Sequence, residues 1–414
     1  MILNLLFLLV GIGFHGVESM ALPSKETRAQ NVAGNLFVDE SCIDCDVCRW
    51  MCPNVFSRKG IKSAVTQQPL TDDDKLSAYA AMVACPVGSI RTHQPDPLVK
   101  DAIDLFPAEI DPINIPGVMH LGFHSKDSYG ATPYFIKRSE KLGNIMIDTP
   151  RFNTKLADNI ELEGGLKYII LTHKDDVVDH DKWKNRFPDA QRIIHSLDIS
   201  GKQGTNECEL ILEGISLLTD TDDNDDNDDN TTKNNKIKTW QPDDGLLLLH
   251  TPGHTPGSIC VVIDTKYCDS DYASSNNNGD VVLFTGDHLA FSQRKGSLTG
   301  FQQYNKGSLE VQALSLEMLA NLLPPSIPRI SPTAVMTSNE VIKSPSIPLI
   351  DNDLSDSIDD SDLPLILRSF TWILPGHGRF FKFSSYEQRK KLLQEVADDV
   401  RVEDPLGGFL LGYQ

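Results

Sequence analysis

The chain is poor in positive charge. Its 38 Lys and Arg stand against 58 Asp and Glu, a net charge of −20 over 414 residues. That leaves no basic face of the kind a phosphate backbone requires, so nucleic acid is not an expected partner. Much of the acidity is local, in Asp/Asn tracts such as Asp220 to Lys236, and describes those tracts more than any active surface. The chain also lacks an apolar run suited to spanning a bilayer. Residues 1–14 are mostly apolar, with a core from Leu5 to Val10, and are too short, so no stable membrane span is expected. No Lys or Arg precedes that run, although Val17 and Ser19 occupy the small-residue positions of a signal-peptidase site. Residues 1–19 therefore read either as a targeting segment or as an extension ahead of Met20. An organellar leader, as for a plastid, is the reading favoured for that segment; a cytoplasmic location is the alternative.

Cysteine is sparse except in one stretch. Five of the eight Cys fall between residues 42 and 85, at spacings that favour metal over disulfides. The chain reads Cys42-Ile43-Asp44-Cys45-Asp46-Val47-Cys48-Arg49-Trp50-Met51-Cys52-Pro53, and Cys85-Pro86 follows. Three Cys at i, i+3 and i+6 let a short loop wrap a cubane with soft thiolate ligands. The fourth Cys of such a run serves a different cluster, and no second run exists to complete one. Cys42, Cys45, Cys48 and Cys85 are therefore assigned to one 4Fe–4S cluster, and Cys52 is read as a buried thiol. The stretch resembles single-cluster bacterial-type ferredoxins over residues 36–95. A zinc ribbon is the rival reading, but it wants two Cys pairs. Thr71 and Asp74 are placed to cap a helix that carries Leu76, Tyr79, Ala80 and Val83 inward and returns Cys85 to the cluster. Trp50 and Phe56 read as core.

The rest of the chain centres on His250-Thr251-Pro252-Gly253-His254-Thr255-Pro256-Gly257-Ser258, between the apolar runs Leu246 to Leu249 and Ile259 to Ile263. It reads as a Pro/Gly turn between two buried strands, with a His raised on it. Three further motifs each follow an apolar run: Thr172-His173-Lys174-Asp175-Asp176, Gly286-Asp287-His288 and Pro375-Gly376-His377. Strands are also expected over Gly117 to His124, Pro133 to Ile136, Asn144 to Ile147, Lys167 to Leu171, Arg192 to His195 and Ser369 to Leu374, with a strand pair in 206–218. His120, His124 and His195 read as structural. Leu309 to Leu322 has helical apolar spacing, and Ser384 with Glu387 is expected to cap a closing helix through Val400. Polar insertions are expected at about 219–238, 267–279 and 324–364.

Together these motifs resemble the metallo-β-lactamase fold family over residues 108–402. The resemblance implies an α/β protein: an αββα sandwich preceded by a small α+β ferredoxin-like domain. It implies metal ligation by His254, by a bridging and catalytic Asp287, and by His377, with Asp148 holding the metal loop by hydrogen bonds; His288 has no ligand role. The family's His-x-His-x-Asp-His is irregular here. Aligned from its start, the loop gives His173 with Asp175 replacing the second His. Aligned from its end, it gives Asp179, in the catalytic Asp position, and His180. An early helix start would instead put Asp176 and His180 on one face. One or two divalent metals are implied, zinc or alternatively iron, acting on a small-molecule substrate.

Three functions follow. One is a metal-dependent hydrolase; the His254 turn looks like that of glyoxalase II-like thioester hydrolases, and the cluster module would sense redox state or dock an electron-transfer partner. The second is a diiron oxidoreductase fed by the cluster, because flavodiiron proteins use this fold with a carboxylate in place of the second His. The third is a degenerate scaffold without activity.

Overall fold

The computed structural model describes residues 26–216, 237–268, 279–322 and 370–402. The expected leader at 1–19 and most of the three polar insertions lie outside the described residues. Among those described, no helix is long and apolar enough to cross a membrane.

The N-terminal module contains β1 (Leu36–Val38), α1 (Val47–Met51), the hairpin β2 (Phe56–Lys59) and β3 (Lys62–Val65), α2 (Asp72–Ala84) and β4 (Ile90–Thr92), which pairs with β1. Thr71 and Asp74 form a reciprocal capping box that fixes the start of α2. Its C-cap is Cys85, so the helix ends where the fourth thiol is needed. A short helix, α3 (Leu98–Asp104), leads into the second region.

There a mixed sheet contains β5 (Ala108–Glu109), β6 (Val118–His120), β7 (Tyr134–Ile136), β8 (Ile145–Ile147), β9 (Tyr168–Ile170), β10 (Gln191–His195) and β11 (Leu210–Leu212). Strands β5 to β8 pair antiparallel, and β8 to β11 run parallel. On its outer side lie α4 (Thr154–Leu162) and α5 (His180–Arg186). The second sheet has the order β12 (Thr239–Asp243), β13 (Leu246–His250), β14 (Ile259–Asp264), β15 (Val281–Gly286), β18 (Phe370–Pro375) and β19 (Phe381–Lys382). A side hairpin, β16 (Ala290–Ser292) with β17 (Ser297–Thr299), precedes α6 (Leu309–Asn321), and α7 (Tyr386–Arg401) closes the chain.

Strand periodicity assigns the layers. Leu246, Leu248, Val261, Ile263, Val282, Phe284, Trp372 and Leu374 face the first sheet, meeting Ile145, Ile147, Tyr168 and Ile170. The alternate residues Leu247, Leu249, Cys260, Val262, Leu283 and Ile373 face α6 and α7. This is the αββα sandwich. Each such Leu or Ile contributes about 1.5–3 kcal/mol by burial, and a strand buried on both faces explains the uninterrupted Leu246 to Leu249 run. The outer face of the first sheet does not end at α4 and α5. Phe106, Leu121, Phe123 and Phe135 share one continuous core with Val47, Ala78, Tyr79 and Ala84 of the cysteine module.

Three sequence expectations need correction. The strand expected over Gly117 to His124 stops at His120; Gly122 and Phe123 adopt positive φ (62° and 46°), which turns the chain out of the sheet. In 206–218 only β11 is a strand among the described residues, and it runs parallel to β10 instead of pairing within the segment. The closing helix is capped by Ser385, whose hydroxyl accepts from Gln388 N–H, while Ser384 binds the Gln388 side chain.

Candidate metal centres

The cluster module brings Cys42, Cys45, Cys48 and Cys85 around one small cavity, completed by apolar Val38, Ile43, Val47, Val87 and Ile90. All four are free thiols, and burial followed by the neighbouring Cys85, Cys48 and Cys42 raises the Cys45 thiol well above its ordinary value. Burial likewise pushes Cys48 up to about 12. Thiols so crowded and so costly to ionise alone suit a polycationic cluster that takes them as thiolates. Asp44 and Asp46, at φ 61° and 70°, let the loop curl around the cavity. Ser89 N–H donates to Cys85 Sγ at 3.3 Å, and Ser63 Oγ lies 3.4 Å from Cys48 Sγ. Cys52 is buried but does not line the cavity.

In the sandwich, the donors lie just past strand ends at one edge. His173 follows β9, His254 sits on the turn after β13, Asp287 follows β15 and His377 follows β18. Asp287 is the hub: its Oδ2 lies 3.7 Å from His173 Nε2, 3.6 Å from His254 Nε2 and 3.6 Å from His377 Nε2. Asp175 Oδ2 is 4.0 Å from His173 Nε2 and 3.7 Å from His254 Nε2. Two overlapping donor groups result: His173, Asp175 and His254, and His173, Asp176 and Asp287.

Several of these atoms are buried with no hydrogen-bond partner: His173 Nε2, both ring nitrogens of His254, Asp176 Oδ2 and Asp287 Oδ1. Buried polar atoms are ordinarily satisfied, so an orphaned set converging from the ends of three strands fits a bound cation. Burial pushes the Asp176 carboxyl well up, reinforced by Asp287 and Asp148, and pushes His173 down to about 4. Burial would also raise Asp287, but His377, His173 and His254 hold it low. Burial opposes ionisation of Asp175 too, yet His254 and Lys306 keep it ionised; Lys306 Nζ lies 2.7 Å from its Oδ1.

The supporting contacts are specific. Asp148 accepts from Thr172 N–H (2.8 Å) and from Thr172 Oγ1 (2.9 Å), and Thr172 Oγ1 lies 3.0 Å from His173 Nδ1. Asp148 thus orients the His173 ring through Thr172. Gly376 leaves no space for a side chain: a Cβ there would lie 2.8 Å from Asp287 Oδ1 and 3.2 Å from Asp176 Oδ2.

The structure does not bring Asp179 or His180 to this group. Asp179 begins α5 at φ 52° and points to Phe152 N–H (2.8 Å) and Lys182 Nζ (2.7 Å). His180 has its Nε2 2.9 Å from Gln203 O and its Nδ1 3.2 Å from Arg192 Nη1. Both side chains are already occupied, so the reading of the loop from its end is corrected to one from its start. His120 and His124 bind each other (Nε2 to Nε2, 2.7 Å), and His195 binds Gly214 O. Sequence reasoning missed Asp198. It accepts from Lys174 N–H, Thr255 Oγ1 and Gly257 N–H, tying the His173 loop to the His254 turn. Its only signal was an acid just past the β10 strand.

The chain joins a small module with four Cys around one cavity to an αββα sandwich with a buried His/Asp group at one edge. Residues 38–92 match the family described as the 4Fe-4S single cluster domain of Ferredoxin I. Solved structures similar to the chain include the DIM-1 metallo-β-lactamase, at 12% identity over 67% of this chain and 94% of that one, with a TM-score of 0.37. A metallo-β-lactamase from Hirschia baltica matches at 13% identity over 64% of this chain and 85% of that one, with a TM-score of 0.34. FIM-1 from Pseudomonas aeruginosa in its mono-zinc form matches at 12% over 66% and 85%, with a TM-score of 0.35. Among curated proteins, none matches the chain.

Proposed function

We propose that the sandwich is a metal-dependent hydrolase acting on a small ester or thioester. The observation that carries this reading is the set of buried, unpartnered donor atoms on His173, Asp176, His254 and Asp287. His173, Asp175 and His254 would hold one ion, and the carboxylates of Asp176 and Asp287, with His377 close to Asp287, would be available to a second. When bound, such ions polarise a carbonyl oxygen and supply hydroxide at neutral pH. The chain's own residues do the rest. Asp148 and Thr172 fix the His173 ring, Lys306 fixes Asp175, and Gly376 lets its loop close over the two carboxylates. Asp287 and His377 are partly open to solvent while His173 and His254 are buried, so a substrate would approach from the His377 side.

The test is thioester and ester hydrolysis by protein purified without air, before and after chelation and zinc or iron reloading. Metal-dependent turnover that Asp287→Ala removes supports the reading; turnover indifferent to chelation and to Asp287→Ala contradicts it.

A second reading, a diiron oxidoreductase, is favoured by one specific feature. The group holds three carboxylates with three imidazoles, a donor set harder than a His-dominated zinc site and suited to iron. Iron in place of zinc, with electrons consumed in turnover, would select it.

A further inference from the structure

Among the described residues, three of the contacts between the two centres lie close to the metal-site side chains, and none of the three runs along the sequence. Asp46, between Cys45 and Cys48, accepts from Arg379 Nε (2.8 Å) and Nη2 (3.3 Å) across 333 residues; Arg379 lies two positions past His377. The same carboxylate binds Arg49, whose Nη1 donates to Ser63 Oγ at 2.6 Å, and Ser63 Oγ is the partner of Cys48 Sγ. Hydrogen bonds and ion pairs thus run unbroken from a cluster thiol to the His377 loop.

The second contact passes through Gly130. A Cβ there would sit 3.2 Å from Cys45 Cβ and 3.1 Å from Pro86 Cγ. Two residues on, Thr132 N–H donates to Gly376 O at 2.6 Å, and Tyr134 Oη donates to Pro375 O at 2.6 Å. The loop that touches Cys45 therefore also grips the loop that carries His377. The third contact is an edge-on stack of Trp50 on Phe380, centroids 5.9 Å apart.

From these contacts we infer that the centres are thermodynamically linked. The charge on the cluster sets how tightly the sandwich holds its metal, and metal occupancy sets the reduction potential of the cluster. The inference rests on the reading that the His173–His377 group binds metal, but not on which reaction it performs. Reduction takes one electron from a low-potential one-electron donor; it breaks no bond and adds one negative charge beside Asp46. That charge favours cations on the far side of the Asp46–Arg379 pair, and dications in the sandwich favour the reduced cluster. Linkage requires the two effects to be equal. The partly buried Asp46 and Arg379 are screened less than surface charges. Arg379 is a positioning residue: its fork holds the His377 loop against the cluster loop.

The test is a potentiometric titration of the cluster, followed by electron paramagnetic resonance, with full-length protein purified without air. Dithionite is the reductant, and the sandwich is either chelated or loaded with zinc. Elemental analysis confirms that the cluster is intact in both samples and reports second-site binding by itself. The expected result is a midpoint potential raised by zinc, with a matching rise in zinc affinity on reduction. A tenfold change in affinity corresponds to about 59 mV for one electron. Arg379→Gln should at least halve the shift, and Arg379→Lys, which keeps the charge, should recover part of it. Zinc binding with an unmoved potential would overturn the linkage while leaving the metal site intact. Absence of zinc binding would overturn both. If Arg379→Gln loses its cluster, the wild-type pair of titrations still decides.

Discussion

The two centres are built by opposite means. The cluster centre takes three of its four thiols from seven consecutive residues, Cys42 to Cys48, and the fourth from the end of one helix. The sandwich centre gathers its donors from four strand ends spread between His173 and His377. A local site is specified mainly by the spacing of its Cys ladder, with Asp44 and Asp46 shaping the loop between the thiols. A distributed site is specified by the whole fold, so its precision depends on residues that hold loops together. Asp148, Asp198, Gly376 and Lys306 have that task, and none is called for by ligand chemistry alone.

That contrast can be broken at its strongest point first. Asp287→Ala removes the carboxylate common to three imidazoles and should lower any metal-dependent turnover by about 10³-fold or more, roughly 4 kcal/mol of barrier. Metal analysis of the variant should show the sandwich ions lost and the cluster iron kept; loss of both would mean the regions are not separable even in metal loading.

Next come the residues that hold the loops. Asp148→Asn keeps the size of the side chain but weakens the anchoring of Thr172 and His173, and should reduce metal affinity by about 10- to 100-fold, read by competition with a chromogenic chelator. Gly376→Ala should act in the same range, because its methyl group would meet Asp287 and Asp176 at 2.8 and 3.2 Å. Wild-type affinity in either variant would show that the loops are less constrained than the contacts require.

The smallest effects on chemistry are expected at the positions the family pattern proposed and the structure moved away. Asp179→Asn and His180→Gln should leave metal affinity within about twofold. His180→Gln should cost about 1–3 kcal/mol of stability, since it disturbs the buried contacts to Gln203 O and Arg192. Chemical denaturation and metal titration of the same sample separate the two outcomes. A large fall in metal affinity at His180 would restore the reading of the loop from its end.

The shared core gives one more comparison. Phe106, Leu121 and Phe123 pack with Tyr79 and Ala84 in one cluster of side chains, so calorimetry of the holo-protein should show a single cooperative transition across module and sandwich. Two resolved transitions would mark them as independent units.

What was legible in the sequence follows the same division. The Cys ladder, the Thr71 capping box and the doubly buried strands around Leu246 to Leu249 and Ile259 to Ile263 are local patterns. The His254, Asp287 and His377 turns were legible because each interrupts an apolar strand at a Gly or Pro. The first metal loop was not, because Asp175, Asp176 and Asp179 look alike in sequence; only the φ of Asp179 and the prior engagement of His180 by Gln203 and Arg192 separate them. Asp198 and the Asp46–Arg379 pair were also hidden, since their partners are remote along the chain and no short-range pattern requires them.

The central claim is that this chain carries two metal centres. Its most direct test is the metal content per chain of protein purified without air, measured by elemental analysis with acid-labile sulfide. The expected content is about four irons and four sulfides for the cluster plus one or two further ions, zinc or iron, in the sandwich. Four irons and nothing more, in protein that has never met a chelator, would contradict it.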